Sequence, residues 1–280
     1  MGARIMIRNV LVAYNGGRAS EAAARAGANM ARKYDAHLTG LLAYSRSSIA
    51  KGLPGWLSDA MTQSILELTD GRADAVKQGF LEAVGSSVEA SRLHWIGTQG
   101  DPDQLVIHYS RLFDVLVLGQ YETLPEVNEF RLHPDKIAEL SGRPLLLTPN
   151  GYSKDTINGC AVAAWDGGQA ASKAIMSALE ILRTKTEVYV VNVRDGRPVR
   201  DADNAALHNQ LQRHGIRFRF VETGMAERSV SRTILNFCQT VDAGLLVSGA
   251  YGHWRVTENF VGGVTRDLIS HADVPVLMAH

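Results

Sequence analysis

The sequence predicts an α/β protein of two tandem doubly wound, parallel-sheet domains, each with about five strands. Three observations carry this expectation. The chain has 280 residues, close to two domains of ordinary size. Its second half repeats the order of pieces found in its first. Short apolar runs alternate throughout with longer Ala- and Leu-rich segments.

The repeat can be followed piece by piece. NVLVAYN, Asn9 to Asn15, is followed by Gly16, Gly17 and an Ala-rich stretch. CAVAAWD, Cys160 to Asp166, is followed by Gly167, Gly168 and another. Asn15 thus matches Asp166, Ala19 matches Ala170, and Arg32 matches Arg183. A second apolar run starts at His37 in one half and at Val188 in the other. DVLVLGQY from Asp114 matches GLLVSGAY from Gly244, and each half closes on a similar run, RPLLLTP from Arg143 and VPVLMAH from Val274. Pro149, Asn150 and Gly151 punctuate the pattern. The expected units are therefore residues 1–152 and 153–280.

Apolar runs without alternation suggest strands buried on both faces, as in a parallel sheet. Between them, Ala19–Tyr34, Trp56–Gly85 and Pro102–Leu112 read as helices in the first half. Ala170–Arg183, Asp201–His214 and Ser229–Thr240 do so in the second. Asp101 before Pro102, and Ser229 before Val230, are helix-start signals. Trp56–Gly85 carries Leu57, Met61, Ile65, Leu68, Val76, Phe80 and Val84 at helical spacing, which reads as a core or domain-packing stripe. The stretch after the second strand is about twice as long in the first half as in the second, making this insertion a candidate partner surface.

Composition narrows the function classes. Apolar residues make up 45% and charged residues 21% of the chain, ordinary values for a globular core. Twenty-nine basic residues balance 29 acidic ones, so nucleic acid is not expected as the main partner. No apolar stretch approaches a membrane span, and the N-terminus lacks the marks of a signal peptide. Cys160 and Cys238 read as free thiols of a reducing compartment, and the expected location is the cytoplasm. P-loop, dinucleotide-fingerprint, nucleophile-elbow and zinc motifs are absent.

In a doubly wound sheet, ligands sit outside the strand C-termini where strand order reverses. This directs attention to the turns after the first and fourth strands of each half. In the second half the fourth-strand turn runs GAYGHWRVTENFVGGVTRDL from Gly249. It contains Gly249, Gly252, Gly262 and Gly263, then Val264 and Thr265 as a helix begins. Glycines allow close approach of backbone to an anion, and the first N–H groups of a helix are free to bind one. The pattern reads as a phosphate cradle. Asp166, at the first strand tip, can accept from a ribose hydroxyl or adenine amino group, help hold a divalent metal, or simply close the turn before the next helix. His253, Trp254, Arg255 and Arg266 lie in or beside the loop, where a solvated or packed role competes with ligand contact.

The spacing Gly-x2-Gly-x9-Gly before a helix, the Gly-Val-Thr of Gly263–Thr265, the closing Pro275-Val276-Leu277 and the tip residue Asp166 together resemble the universal stress protein family. The resemblance covers both halves and implies a tandem, Rossmann-like fold of the adenine-nucleotide alpha hydrolase type. It further implies that Asp166 contacts the nucleoside and that the end of the second strand, near Val193, lines an adenine pocket. Gly249, Gly252, Gly262, Gly263, Val264 and Thr265 would hold ribose and phosphates. The implied ligand is ATP or another adenine nucleotide, with Mg2+ as an optional companion. Gly263 stands where the family often has Ser or Thr, which removes one hydroxyl donor.

The first half departs further. Its strand tip is the neutral Asn15. Glu122 stands where Gly252 does, Arg131 and Leu132 fall near the later glycines, and Glu122, Glu126 and Glu129 would repel phosphates. It reads as a degenerate partner, and the resemblance implies an intramolecular pseudo-dimer packed like the dimers of single-domain relatives, with fifth strands at the interface and open to homodimerisation. The leading function is a nucleotide-binding stress-response regulator with no dedicated catalytic residues. A slow ATPase using Asp166 for metal, and an adaptor without nucleotide acting through an unknown protein partner, are the alternatives.

Overall fold

The computed structural model describes residues 7–45, 53–121, 130–153, 159–196, 198–226, 229–251 and 263–280. In the first half the strands are β1 (Asn9–Ala13), β2 (His37–Tyr44), β3 (Leu93–Gln99), β4 (Val115–Gly119) and β5 (Leu145–Thr148). The second half supplies β6 (Ala161–Ala164), β7 (Val188–Arg194), β8 (Phe218–Gly224), β9 (Leu245–Gly249) and β10 (Val276–Ala279). Between them run α1 (Arg18–Tyr34), α2 (Asp59–Val84), α3 (Pro102–Ser110), α4 (Pro134–Leu140), α5 (Gln169–Leu182), α6 (Asp201–Arg213), α7 (Val230–Thr240) and α8 (Gly263–His271).

All ten strands form one sheet in the order β3-β2-β1-β4-β5-β10-β9-β6-β7-β8. Each half therefore has the same internal order, with its reversal between the first and fourth strands. Pairing is parallel except at the seam, where β5 and β10 run antiparallel with Leu146 opposite Leu277. The fifth strands thus meet, as the family resemblance implies. No helix among the described residues is long and apolar enough to cross a membrane.

Alternation along the strands fills two layers. Val10, Val12, Val115 and Val117 face α1 and α2, and Ala161, Ala163 and Val247 face α5 and α6. Leu11, Leu116 and Leu118 face α3 and α4, and Val162, Leu246 and Val276 face α7 and α8. The strands β1, β2, β4 and β5 are buried almost throughout, which is why their sequences read as continuous apolar runs. The outermost strands β3 and β8 alternate between partly buried and exposed residues, as edge positions require.

Helix starts follow the sequence signals. Asp101 accepts from Gln104 N at 2.9 Å to cap α3, and Ser229 accepts from Arg232 N at 3.3 Å to cap α7. One expectation needs correction. The stripe on α2 does not pack along its whole length: Phe80 and Val84 are buried, whereas Met61 and Leu68 are 56% and 69% exposed. Before Phe80, Thr69 is the only residue of α2 that is buried.

Candidate functional site

The crevice of the second half opens where β6 and β9 part company at their C-terminal ends. It holds a cavity of about 160 Å³ bordered by Asp166, Val193, Gly249, Val264 and Thr265, five of the residues singled out from the sequence. Gly263 is the first residue of α8, directly before Val264. Gly252 and Gly262, with His253, Trp254 and Arg255, lie outside the described residues.

Two helix N-termini converge on the cavity. Ala170 and Ala171 of the first turn of α5 border it, as do Val264 and Thr265 of α8. Neither Gly168 nor any other side chain caps α5, so its leading N–H groups remain available to an anion. The opposite wall is apolar, from Val193 on β7 and Val230 and Ile234 on α7. This gives one end suited to a flat apolar ring and another suited to negative charge.

Asp166 is exposed at the rim. Its Oδ1 accepts from Gly168 N at 2.8 Å, closing the Asp-Gly-Gly turn. A side chain at Gly168 would bring a β-carbon within 2.8 Å of that oxygen, and Gly167 has φ +73. The turn reading and the ligand reading therefore coexist, because Oδ2 has no partner among the described residues. The Thr265 hydroxyl, 5% exposed, accepts from Tyr251 N at 3.1 Å, and its proton has no acceptor among the described residues.

Gly249 has a second reason to be glycine. A β-carbon there would stand 2.6 Å from the carbonyl carbon of Ala170 in α5. Its repeat mate Gly119 lies equally close to Ala19 of α1, at 2.5 Å from its β-carbon. A glycine at the end of the fourth strand thus serves helix–sheet approach in both halves, whatever binds beside it.

Sequence reasoning missed several residues of the cavity. Asn192 borders it and donates to the Trp165 carbonyl at 2.9 Å. Trp165 in turn donates from Nε1 to Asn204 Oδ1 at 2.9 Å, so this corner is fixed by α6. Ser248 and Asp195 complete the polar rim. Asp195 was findable, since it follows the second strand directly, whereas Asn192 and Ser248 are concealed within apolar strand runs. Among the described residues no group of three His, Cys, Asp or Glu is placed to hold a metal ion.

The first-half crevice is small, about 20 Å³, bordered by Asn15, Ser20, Arg131 and Leu132. Asn15 Oδ1 accepts from Gly17 N at 3.0 Å, as Asp166 does from Gly168, but its Nδ2 faces the Phe130 carbonyl at 3.5 Å. The Phe130 ring is buried against Leu42 and Tyr44 at the end of β2. Arg72 of α2 lies over its face, 5.4 Å from the centroid. The same helix brings Val76 to 3.0 Å from where a β-carbon on Gly16 would sit. The long insertion and the returning chain together narrow the space over these strand tips. Glu122, Glu126 and Glu129 lie outside the described residues.

Two doubly wound units joined edge to edge, one with an open crevice at its switch point, define the class of protein. Residues 161–280, less than half of the chain, match the model of the universal stress protein family. The whole chain is similar in fold to a universal stress protein from Archaeoglobus fulgidus. The two share 16% identity with a TM-score of 0.70, over 98% of this chain and 96% of that one. It is also similar to a functionally unknown protein from Pseudomonas aeruginosa PAO1, at 14% identity and a TM-score of 0.56, over 98% and 92% of the two chains. No curated protein matches the sequence.

Proposed function

We propose that residues 153–280 form an adenine-nucleotide-binding unit and residues 1–152 a non-binding partner, in a protein that regulates a stress response. The observation that carries this reading is the contrast between the crevices: about 160 Å³ between two helix N-termini in one, about 20 Å³ in the other. The base would lie against Val193, Val230 and Ile234. Asp166 Oδ2 would accept from the ribose. Phosphates would meet the N–H groups of α5 and α8 and the Thr265 hydroxyl. Mg2+, where used, would enter on the phosphate oxygens.

The test is mass spectrometry of small molecules released on denaturing freshly purified protein, with calorimetric titration of ATP and Mg2+. Stoichiometric adenine nucleotide in the wild type, lost in Val264→Glu, supports the proposal. No released nucleotide, together with no heat and no thermal shift at millimolar ATP, overturns it. A second reading, an adaptor, is favoured by one observation: Trp56, Met61 and Leu68 leave apolar surface exposed on and before α2.

A further inference from the structure

Among the described residues, Asn192 is the one amide side chain on the wall of the second-half cavity. It interrupts the apolar run of β7 between Val191 and Val193, which are buried and border the same cavity. An amide in such a run carries a donor and an acceptor, and each needs a partner.

The donor has one. Asn192 Nδ2 donates to the Trp165 carbonyl at 2.9 Å. A carbonyl can only accept, so the amide nitrogen faces Trp165 and Oδ1 faces away from it. Trp165 is itself held twice, by donation from Nε1 to Asn204 Oδ1 of α6 and from its backbone N–H to the Val191 carbonyl at 2.9 Å. Asn192 Oδ1 has no partner among the described residues. It is not sealed in the interior, and the open space beside it is the cavity.

The first half lacks this acceptor. Ala13 pairs with Leu41 as its repeat mate Ala164 pairs with Val191, so Leu42 is the counterpart of Asn192. Leu42 is buried against Phe130. The oriented amide thus belongs to the open crevice, and the narrow one carries an aliphatic side chain in its place.

We infer that Asn192 is the specificity-determining residue of the second-half cavity: its Oδ1 accepts from the exocyclic amino group of a 6-aminopurine and turns away a 6-oxopurine, which presents an acceptor at the same place. The inference rests on the nucleotide reading of that cavity. Turning the amide over would offer Nδ2 to the oxo group, but it would also set Oδ1 against the Trp165 carbonyl, two acceptors facing each other. The discrimination therefore comes from the rear of the amide, where Trp165 and α6 hold it in one sense.

The test is calorimetric titration of the full chain with ATP and, separately, with inosine triphosphate, each with Mg2+. The wild type should bind ATP about tenfold more tightly, the worth of one hydrogen bond gained against one acceptor left unpaired. Asn192→Leu, which copies the first half, should bring the two affinities within about twofold while leaving that for inosine triphosphate unreduced. A merely structural role would weaken both nucleotides alike and keep their ratio, and that result in a folded Asn192→Leu overturns the inference. If that variant does not fold, Asn192→Ser, whose shorter side chain withdraws the acceptor, decides by the same ratio. Equal affinities in the wild type overturn the inference and leave the nucleotide reading standing. A wild type that binds neither nucleotide overturns both.

Discussion

Asp103 holds His133 at two atoms: its carboxylate accepts the His133 backbone N–H at 2.9 Å and meets ring Nδ1 at 2.8 Å. Lys136 Nζ adds a third contact at 3.2 Å. Asp103 is 4% exposed and lies in the first turn of α3, so it ties that helix to the start of α4. Asp103→Ala strands these donors around a buried hole. It should destabilise the protein by about 2–4 kcal/mol, read as a lower urea midpoint. A loss below about 0.5 kcal/mol would mean that the tie contributes nothing.

Gly119→Ala and Gly249→Ala form a matched pair. Each adds a methyl where helix backbone already stands, so each should cost about 1–3 kcal/mol through overpacking. Thermal denaturation with and without ATP separates the two roles of Gly249. If Gly249→Ala kept full stability and lost only nucleotide, the close approach of α5 would not explain this glycine.

Cys238 is buried, and removal from water, with Asp273 and Cys160 nearby, pushes its thiol up to about 12. The folded state therefore favours the protonated thiol. Its contribution to stability is full below the ordinary thiol range and is lost as pH rises from about 9 to about 12. The expected outcome is a denaturation midpoint that falls across that window, and a Cys238 that resists a thiol reagent at pH 8 until the protein unfolds. Rapid labelling of native Cys238 would refute this.

The two ends of α2 should respond differently to truncation. Leu68→Ser replaces a side chain that is 69% exposed and should change stability by no more than about 0.5 kcal/mol. Phe80→Ala empties a fully buried position between Tyr14 and Trp95 and should cost about 3–5 kcal/mol. Chemical denaturation of both variants checks the contrast, and equal losses would mean that the helix packs as one piece.

Much of this architecture was legible because the physics that shaped it is local. Strands β1 and β4 are buried on both faces, so NVLVA and VLVLG read as strands without context. The edge strands β3 and β8 did not, because one exposed flank admits His94, Gln99, Arg219 and Glu222 among the apolar residues. Asp166 stood out from the rule that ligands sit at strand tips, whereas Val193 came only from the family resemblance. Phe130 over β2 was not, since that contact joins residues distant in sequence and nothing near Phe130 announces it. The same holds for α2, whose helical period is clear but whose exposed N-terminal end depends on packing against residues distant in sequence. Gly249 illustrates a different limit. A glycine for helix approach and one for ligand approach look alike in sequence, and Gly119 shows that the first reason suffices alone.

The antiparallel ladder between β5 and β10 joins strands of one chain, so their encounter is a first-order event. The linker from Pro149 to Cys160 keeps the two edges at a high effective concentration. Dilution cannot separate them as it separates a two-chain dimer. The ladder also occupies the edge that a solitary half would present as a template for further strand pairing. Self-association of the intact chain must then use another surface, and a chain cut between Thr148 and Ala161 would regain a dependence on concentration that the covalent link removes.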